Sequence, residues 1–425
     1  QRNKGEDGWQ YSVLFFCSIY FQRGFLLIIL LPTNLRSSFF MHILEIPSFF
    51  PPYGGEFCLE QSKALQQLGH EVRILSRVQL GITKGWKDYL FLPYTMGVET
   101  MDGVEVWRDF QRGIPKVVRP NVDRWLKGVL KLSEEYFRQY GCPDVIHAHC
   151  VKWAGRAAML IAQHHRIPYV ITEHLPSMIY EEEFRRASLG QWEIPLLREA
   201  LEKADRVVVV SEELVDELAP YFGKRYSHQV VSNMIDTRFF HYAKRQPSDT
   251  FRFCAIGNFI PRKGYDILAG AFRRLKSQGV NASLTLVGPD TDSASCRCLY
   301  ANIPDVRFVG TTDKVGVRDI LYSVDALVLP TRSESQGLVL LEAMSTGIPV
   351  ITTDVVPQSV RQHDGCVTVP TEDAVSLSHA MVRLISEHFS SEHISSAISE
   401  SYSPHIIGNQ LQQLFFSLLE RQVKQ

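Results

Sequence analysis

Two carboxylates, Glu334 and Glu342, frame a turn in residues 329–350, where an apolar strand breaks into Ser333-Glu334-Ser335-Gln336-Gly337 and re-enters an apolar helix. Glu342 stands among Leu338, Leu340, Leu341, Ala343 and Met344, a setting in which a carboxylate needs a partner. Gly337 lets the backbone come close to a ligand, and the free N–H groups of the helix's first turn suit a phosphate. A diphosphate linked to a sugar diol would satisfy both features. An ordinary strand–turn–helix, with Glu342 on a buried Arg and Glu334 solvated, is the plain alternative.

A second phosphate-like turn, Gly257-Asn258-Phe259-Ile260-Pro261-Arg262-Lys263-Gly264, follows an expected strand over 251–256 and leads into a helix from Asp266. Two cations at a helix N-terminus want an anion. Near the start, a strand over 42–46 is followed by a loop, by Gly54-Gly55-Glu56 opening a helix to Leu68, and by a second strand after Gly69. Strand, glycine turn, helix and strand is the unit of a doubly wound parallel sheet, which binds ligands at its strands' carboxyl ends. Asp144-Val145-Ile146-His147-Ala148-His149 and Tyr169 to His174 read as two further strands whose ends should meet in the cleft. His147 and His149 are expected on opposite faces of their strand, which argues against zinc.

The run from Glu334 through seven residues to Glu342, inside Ser-Glu-Ser-Gln-Gly-Leu-Val-Leu-Leu-Glu-Ala-Met, resembles the E-x7-E signature of retaining glycosyltransferases with the two-domain GT-B fold, family 4. Gly54-Gly55-Glu56 with the later Leu-Gly-His-Glu-Val, and the Lys263-Gly264 turn, are similar to two other motifs of that family. The resemblance covers about residues 41–425. It implies an α/β GT-B protein, two doubly wound Rossmann-like domains facing a central cleft. It further implies a retaining, metal-independent transfer of a sugar from a UDP- or GDP-sugar to a saccharide or lipid-linked hydroxyl, without a cofactor, in cell-surface polysaccharide or glycolipid synthesis.

By the same resemblance His149, Lys263 and Glu334 would be catalytic. Gly55, Asn258, Arg262, Lys263, Glu334, Gln336, Gly337, Leu338 and Glu342 would bind the donor, Glu342 at the ribose and Glu334 at the sugar. The chain departs from the family at Asn258, where an Arg is common, at Asp354 to Gln358, where a Gly-Gly pair and a Glu are usual, and by two substitutions in Ser232-Asn233-Met234-Ile235-Asp236. Two other readings stay open: a catalytically silent nucleotide-sugar-binding protein and a GT-B epimerase, which alone would change a nucleotide-sugar without acceptor.

The elements that must position these residues fit the length. A chain of 425 residues suits two domains of ordinary size. The expected parts are 1–40 as upstream non-native or anchor-like sequence ahead of Met41, 41–241 as an acceptor-side domain, 242–250 as a linker, 251–403 as the nucleotide-sugar domain, and 404–425 as a helix folding back on the first domain. A net charge of −1 argues against nucleic acid as a partner. Eight cysteines at scattered spacings fit neither a disulfide framework nor a zinc site, so the cytoplasm is the expected compartment. Residues 104–131 carry Arg108, Arg112, Lys116, Arg119, Arg124, Lys127 and Lys131 with Trp107, Phe110 and Trp125 interleaved. That pattern reads as a solvated helix face, or as a surface for peripheral membrane contact or an anionic acceptor. No G-x-G-x-x-G follows any expected strand, so a dehydrogenase lacks its phosphate loop.

Overall fold

The computed structural model describes residues 17–21, 24–28, 40–82, 86–92, 96–185 and 191–423. The expectation for residues 1–40 lies mostly outside them. Within that stretch β1 (Cys17–Phe21) and β2 (Gly24–Ile28) pair as an antiparallel hairpin. Among the described residues no helix is long and apolar enough to cross a membrane.

From His42 onward, runs of β-branched and aliphatic residues build strands buried on both faces, as parallel sheets require. The first sheet holds β3 (His42–Pro47), β4 (Glu71–Leu80), β5 (Gly97–Met101), β6 (Val104–Arg112), β7 (Val145–His149), β8 (Tyr169–Glu173), β9 (Arg206–Val209) and β10 (His228–Val230). Their order is β10-β9-β8-β7-β3-β4-β6-β5, parallel except for the β5–β6 pair. The second sheet is wholly parallel: β11 (Phe251–Ile256), β12 (Ala282–Val287), β13 (Val306–Gly310), β14 (Ala326–Leu329), β15 (Val350–Thr353) and β16 (Cys366–Val369), in the order β13-β12-β11-β14-β15-β16.

Each sheet reverses its winding once. After β3 the chain runs out through β4 and β6, then returns to lay β7 on the other side of β3. After β11 it runs out through β12 and β13, then returns to lay β14 against β11. Ligands of such sheets bind at these switch points, beyond the strands' carboxyl ends. The four loops there, after β3, β7, β11 and β14, carry most of the residues singled out by sequence.

The expected basic patch is divided by the fold. Residues 104–112 form β6 rather than a helix, with Trp107 buried and Arg108 bonded to Glu99 and to the Pro51 carbonyl. Trp125 is also buried, because the helix Arg119–Tyr140 turns it inward and leaves Arg119, Arg124, Lys127 and Lys131 outside, with Lys116 exposed on the turn before it. The cysteines whose side chains are described are all free thiols.

The helix Pro404–Val423 returns to the first sheet. Ile407, Leu411, Leu414, Phe415 and Leu418 share one apolar cluster with Met41, Ile43, Ala64, Leu65, Val72, Val145 and Val208, at the spacing of one helical stripe. Leu411 is fully buried there. Leu411→Ala is therefore expected to cost about 2–5 kcal/mol, read as a lower denaturation midpoint. An unchanged midpoint would show that the helix does not hold the first sheet.

Candidate active site

The loops after β11 and β14 meet directly. Pro261–Lys263 form one 3-10 turn, closed by Gly264 at φ 67°, and a Cβ there would lie 1.8 Å from the Pro330 carbonyl oxygen. Only glycine permits that approach. The Arg332 amide then donates to the Arg262 carbonyl at 2.7 Å. This contact brings the Lys263 ammonium onto the Glu334 carboxylate, which also accepts from Thr331 Oγ1 at 3.3 Å and faces Arg262 Nη1 at 3.5 Å. Arg262 further donates to the Ser333 carbonyl at 2.9 Å. Glu334 is thus buried on cations, not solvated. Asn258 is exposed on the same turn.

Glu342 lies elsewhere. Gly337 caps the helix Leu338–Ser345 at φ 85°, and Leu338 and Glu342 line a cleft cavity of about 670 Å³ with Glu56, Phe57, Met234, Asp236, Phe240 and Lys314. Among the described residues no hydrogen bond or ion pair is made by the Glu342 carboxylate. Burial raises its pKa to about 7, with Lys314 acting the other way. The buried Arg of the plain alternative does not face it.

Gln336 Oε1 accepts the Asn233 amide at 2.9 Å, a bond between the two halves. Lys314 adds a second, to Glu60 at 3.4 Å. The loop after β3 depends on Gly55, at φ 84°, where a Cβ would sit 2.1 Å from the Phe49 carbonyl oxygen. That turn starts the helix Glu56–Gln67 and aims Phe57 at the histidines, stacked on His174 at 3.7 Å.

The expected opposite-face arrangement of His147 and His149 does not hold. Residues two apart on a strand share a face, and both turn to one acid that the sequence reading missed, Glu45 on β3, in register with His147. Glu45 Oε2 lies 2.9 Å from His147 Nδ1 and 2.7 Å from His149 Nε2, all fully buried. Burial pushes the Glu45 carboxyl up, but the two imidazoles outweigh it and hold it at about 2; burial lowers His149 to about 4. His149 therefore sits behind the cleft wall. His174, 5% exposed, stands in front of it, its Nε2 3.1 Å from His149 Nδ1. The alternation Glu45, His147, His149 was the available signal, but only strand register pairs them.

Two groups among the described residues could hold a metal: Glu45, Cys58 and His149, with ligand atoms within 4.8 Å of one another, and Glu134, His164 and His165 on an outer face. On the far side of the loop after β3, a cavity of about 320 Å³ opens between the ends of β3, β4 and β7. Phe49, Phe50, Trp125 and Trp153 wall it, with Gln79 and Lys152 at its polar side, Lys152 being paired with Glu193 at 2.6 Å.

Two doubly wound domains, with carboxylates and cations at the switch points facing one cleft, define a protein of the GT-B class. The family described as "Glycosyl transferases group 1" matches residues 250–387, and "Glycosyltransferase Family 4" matches residues 54–239. The chain belongs to the group 1 glycosyltransferases and is a transferase of class EC 2.4. It is 26% identical over 337 residues to a glycogen synthase of Mycobacterium tuberculosis, covering 74% of this chain and 78% of the relative. It is 28% identical over 336 residues to a D-inositol 3-phosphate glycosyltransferase of Jonesia denitrificans, covering 70% and 74%. Among solved structures it is similar to sucrose-phosphate synthase from Thermosynechococcus elongatus, with a TM-score of 0.71 and 20% identity over 89% of this chain and all (100%) of that one. Anabaena HepE in complex with UDP-glucose has a TM-score of 0.65 and 16% identity, covering 89% and 100%.

The raised pKa of Glu342 carries a pH-dependent prediction. A carboxyl whose folded pKa lies above its unfolded value stabilises fully below the unfolded pKa and loses that contribution as pH rises through the folded one. The loss spans pH 4.5 to about 7. Glu342→Gln, which cannot ionise, should therefore raise Tm at pH 8, by roughly 2–4 °C per kcal/mol relieved, and leave it near wild type at pH 4.5. Equal effects at both pH values would contradict the burial assigned to this carboxyl.

Proposed function

We propose that the chain transfers a sugar from a UDP- or GDP-sugar to a hydroxyl of a saccharide or lipid-linked acceptor, with retention at the anomeric carbon, in cell-surface polysaccharide or glycolipid synthesis. The pairing of Lys263 with Glu334 across the switch loops carries this reading. A cation already matched to an acid can exchange it for a phosphate without leaving either charge buried alone. The arriving diphosphate takes Lys263 and Arg262, and Glu334 is released toward the sugar hydroxyls. As the bond from the anomeric carbon to the diphosphate breaks and the bond to the acceptor oxygen forms, the acceptor's proton passes to the departing diphosphate oxygen, and the growing negative charge is met by those cations and by the N–H groups at Gly337 and Leu338. Glu342 accepts the ribose hydroxyls in the cleft cavity. These groups supply the charge stabilisation without a metal or cofactor. The UDP-glucose bound by Anabaena HepE supports a nucleotide-sugar donor, and the aromatic-walled cavity after β3 is placed to hold the acceptor.

A peripheral contact with the inner face of an anionic membrane is part of this proposal. Trp86 (56% exposed), Leu90 (50%) and Phe91 (76%) stand on one short helix. Arg112 ties that helix to the exposed stretch Ile114, Val117 and Val118, through the Tyr89 and Leu90 carbonyls at 3.0 and 3.2 Å. The cations of the helix Arg119–Tyr140 continue the same face, an apolar centre beside basic residues that suits a bilayer interface.

Ribose contacts change little between ground and transition state, whereas the sugar ring flattens and gains charge. Glu342→Gln should mainly raise the donor KM and weaken nucleoside diphosphate binding, and Glu334→Gln should mainly lower kcat. Lys263→Ala should cost about ten- to a hundredfold in kcat/KM, the worth of a charged hydrogen bond of roughly 1.5–3 kcal/mol. Wild-type kinetics in all three would move the donor site elsewhere. For the membrane face, flotation with phosphatidylglycerol vesicles should succeed for wild type and fail for a Phe91→Ser, Lys127→Glu, Lys131→Glu variant. Equal flotation of both proteins, or of neither, would remove the membrane from the reading.

A further inference from the structure

We propose that Glu45 is a positioning residue: through His149 it fixes the hydrogen-bond polarity of His174, so that His174 presents a bare Nδ1 as an acceptor for a hydroxyl of the bound sugar. The inference rests on the glycosyl-transfer reading for its ligand, but its geometry stands on the chain alone.

The argument begins at the carboxylate. Glu45 Oε2 can only accept, and His149 Nε2 lies 2.7 Å from it, so His149 carries its proton on Nε2. A neutral imidazole then has a lone pair on Nδ1. That atom lies 3.1 Å from His174 Nε2, which must be the donor. His174 is left with its lone pair on Nδ1, a buried atom that has no hydrogen-bond partner. His147 is fixed in parallel: its Nδ1 faces Glu45 at 2.9 Å and its Nε2 takes the Thr172 hydroxyl at 2.6 Å. It shares the acid without joining the chain to His174.

The far end of the chain is incomplete in a specific way. Asn233 interacts with His174, and its Oδ1 is likewise a buried acceptor without a partner. A buried acceptor left without a donor costs about 1–3 kcal/mol. A sugar hydroxyl supplies that donor. The place is suited to one: Asn233 is held through its backbone by Gln336 from the second domain, so the pair lies at the junction of the two halves. Phe57, stacked on the His174 ring, comes from the glycine-loop helix and also lines the cleft cavity. Were Glu45 uncharged, an amide N–H in its place could donate to His149 Nε2. The chain would then reverse, and His174 would carry its proton on Nδ1, toward Asn233 Oδ1.

Two-bond ¹H–¹⁵N spectra of the full chain, labelled in histidine and assigned with a His174→Asn variant, read the tautomers without needing turnover. Wild type should show His149 and His174 protonated at Nε2. Glu45→Gln should move His174 toward the Nδ1–H form and lower kcat by roughly tenfold or more, with the donor KM and UDP affinity unchanged. His147→Gln, which also loses a contact with Glu45, should keep both the tautomer of His174 and the rate close to wild type. A structural filler would tolerate Gln at position 45, since it keeps the acceptor oxygen. A wild-type His174 protonated at Nδ1 overturns the proposal even if Glu45→Gln cannot be purified. So does wild-type kcat in Glu45→Gln, or stoichiometric metal held by Glu45, Cys58 and His149 in the purified protein. If wild type transfers no sugar while the tautomers are as stated, the glycosyl-transfer reading fails and the hydrogen-bond chain remains.

Discussion

The contact between Gly264 and the Pro330 carbonyl is the constraint on which the second half of the site depends. It lets the loops after β11 and β14 touch backbone to backbone at the switch point of their sheet. Any side chain at position 264 would part them, and the Lys263–Glu334 pair would separate with them. That pair leaves each charge matched while the protein is empty. In the proposed reaction the same cation would first neutralise an acid of the chain and then a phosphate.

The two carboxylates of the central motif live under different electrostatic regimes. Glu334 is buried against Lys263 and near Arg262, so its charge is compensated within the fold. Glu342 faces a cavity with burial raising its pKa and Lys314 only partly offsetting it. One acid is held by the protein's cations, the other lines a cavity. In the proposed function this asymmetry would give the two acids separable consequences for affinity and rate.

In the first domain the same economy of strand ends applies. β3, β7 and β8 run side by side, and their inward residues Glu45, His147, His149 and Thr172, with His174 just beyond β8, make one buried polar network. Such a network is costly if left partly unsatisfied. Among its atoms without a hydrogen-bond partner, Glu45 Oε1 and His147 Nδ1 lie inside the first domain, and His174 Nδ1 lies toward Asn233, where the two domains meet. Phe57 stacks on the His174 ring, and the C-terminal helix places Phe415 5.3 Å from the His147 ring.

The sequence by itself determined the class of fold and marked the central motif. Glycine turns after apolar strands, and two glutamates in an apolar helix start, are local patterns whose physical meaning survives without coordinates. It also marked Arg262, Lys263, Glu334 and Glu342. What it could not decide were contacts set by register and by the return of distant segments. Glu45 reads as one charged residue in an apolar strand until β3 and β7 align it with His147. Trp107 and Trp125 look like surface aromatics until β6 and its neighbouring helix turn them inward. That Gln336 bonds the Asn233 backbone, 103 residues away, is likewise invisible in the sequence. His149 and His174 are equivalent strand-end histidines in one dimension. Only the stacking of three strands put one behind the other, because burial and hydrogen-bond partners belong to the sheet and not to the strand.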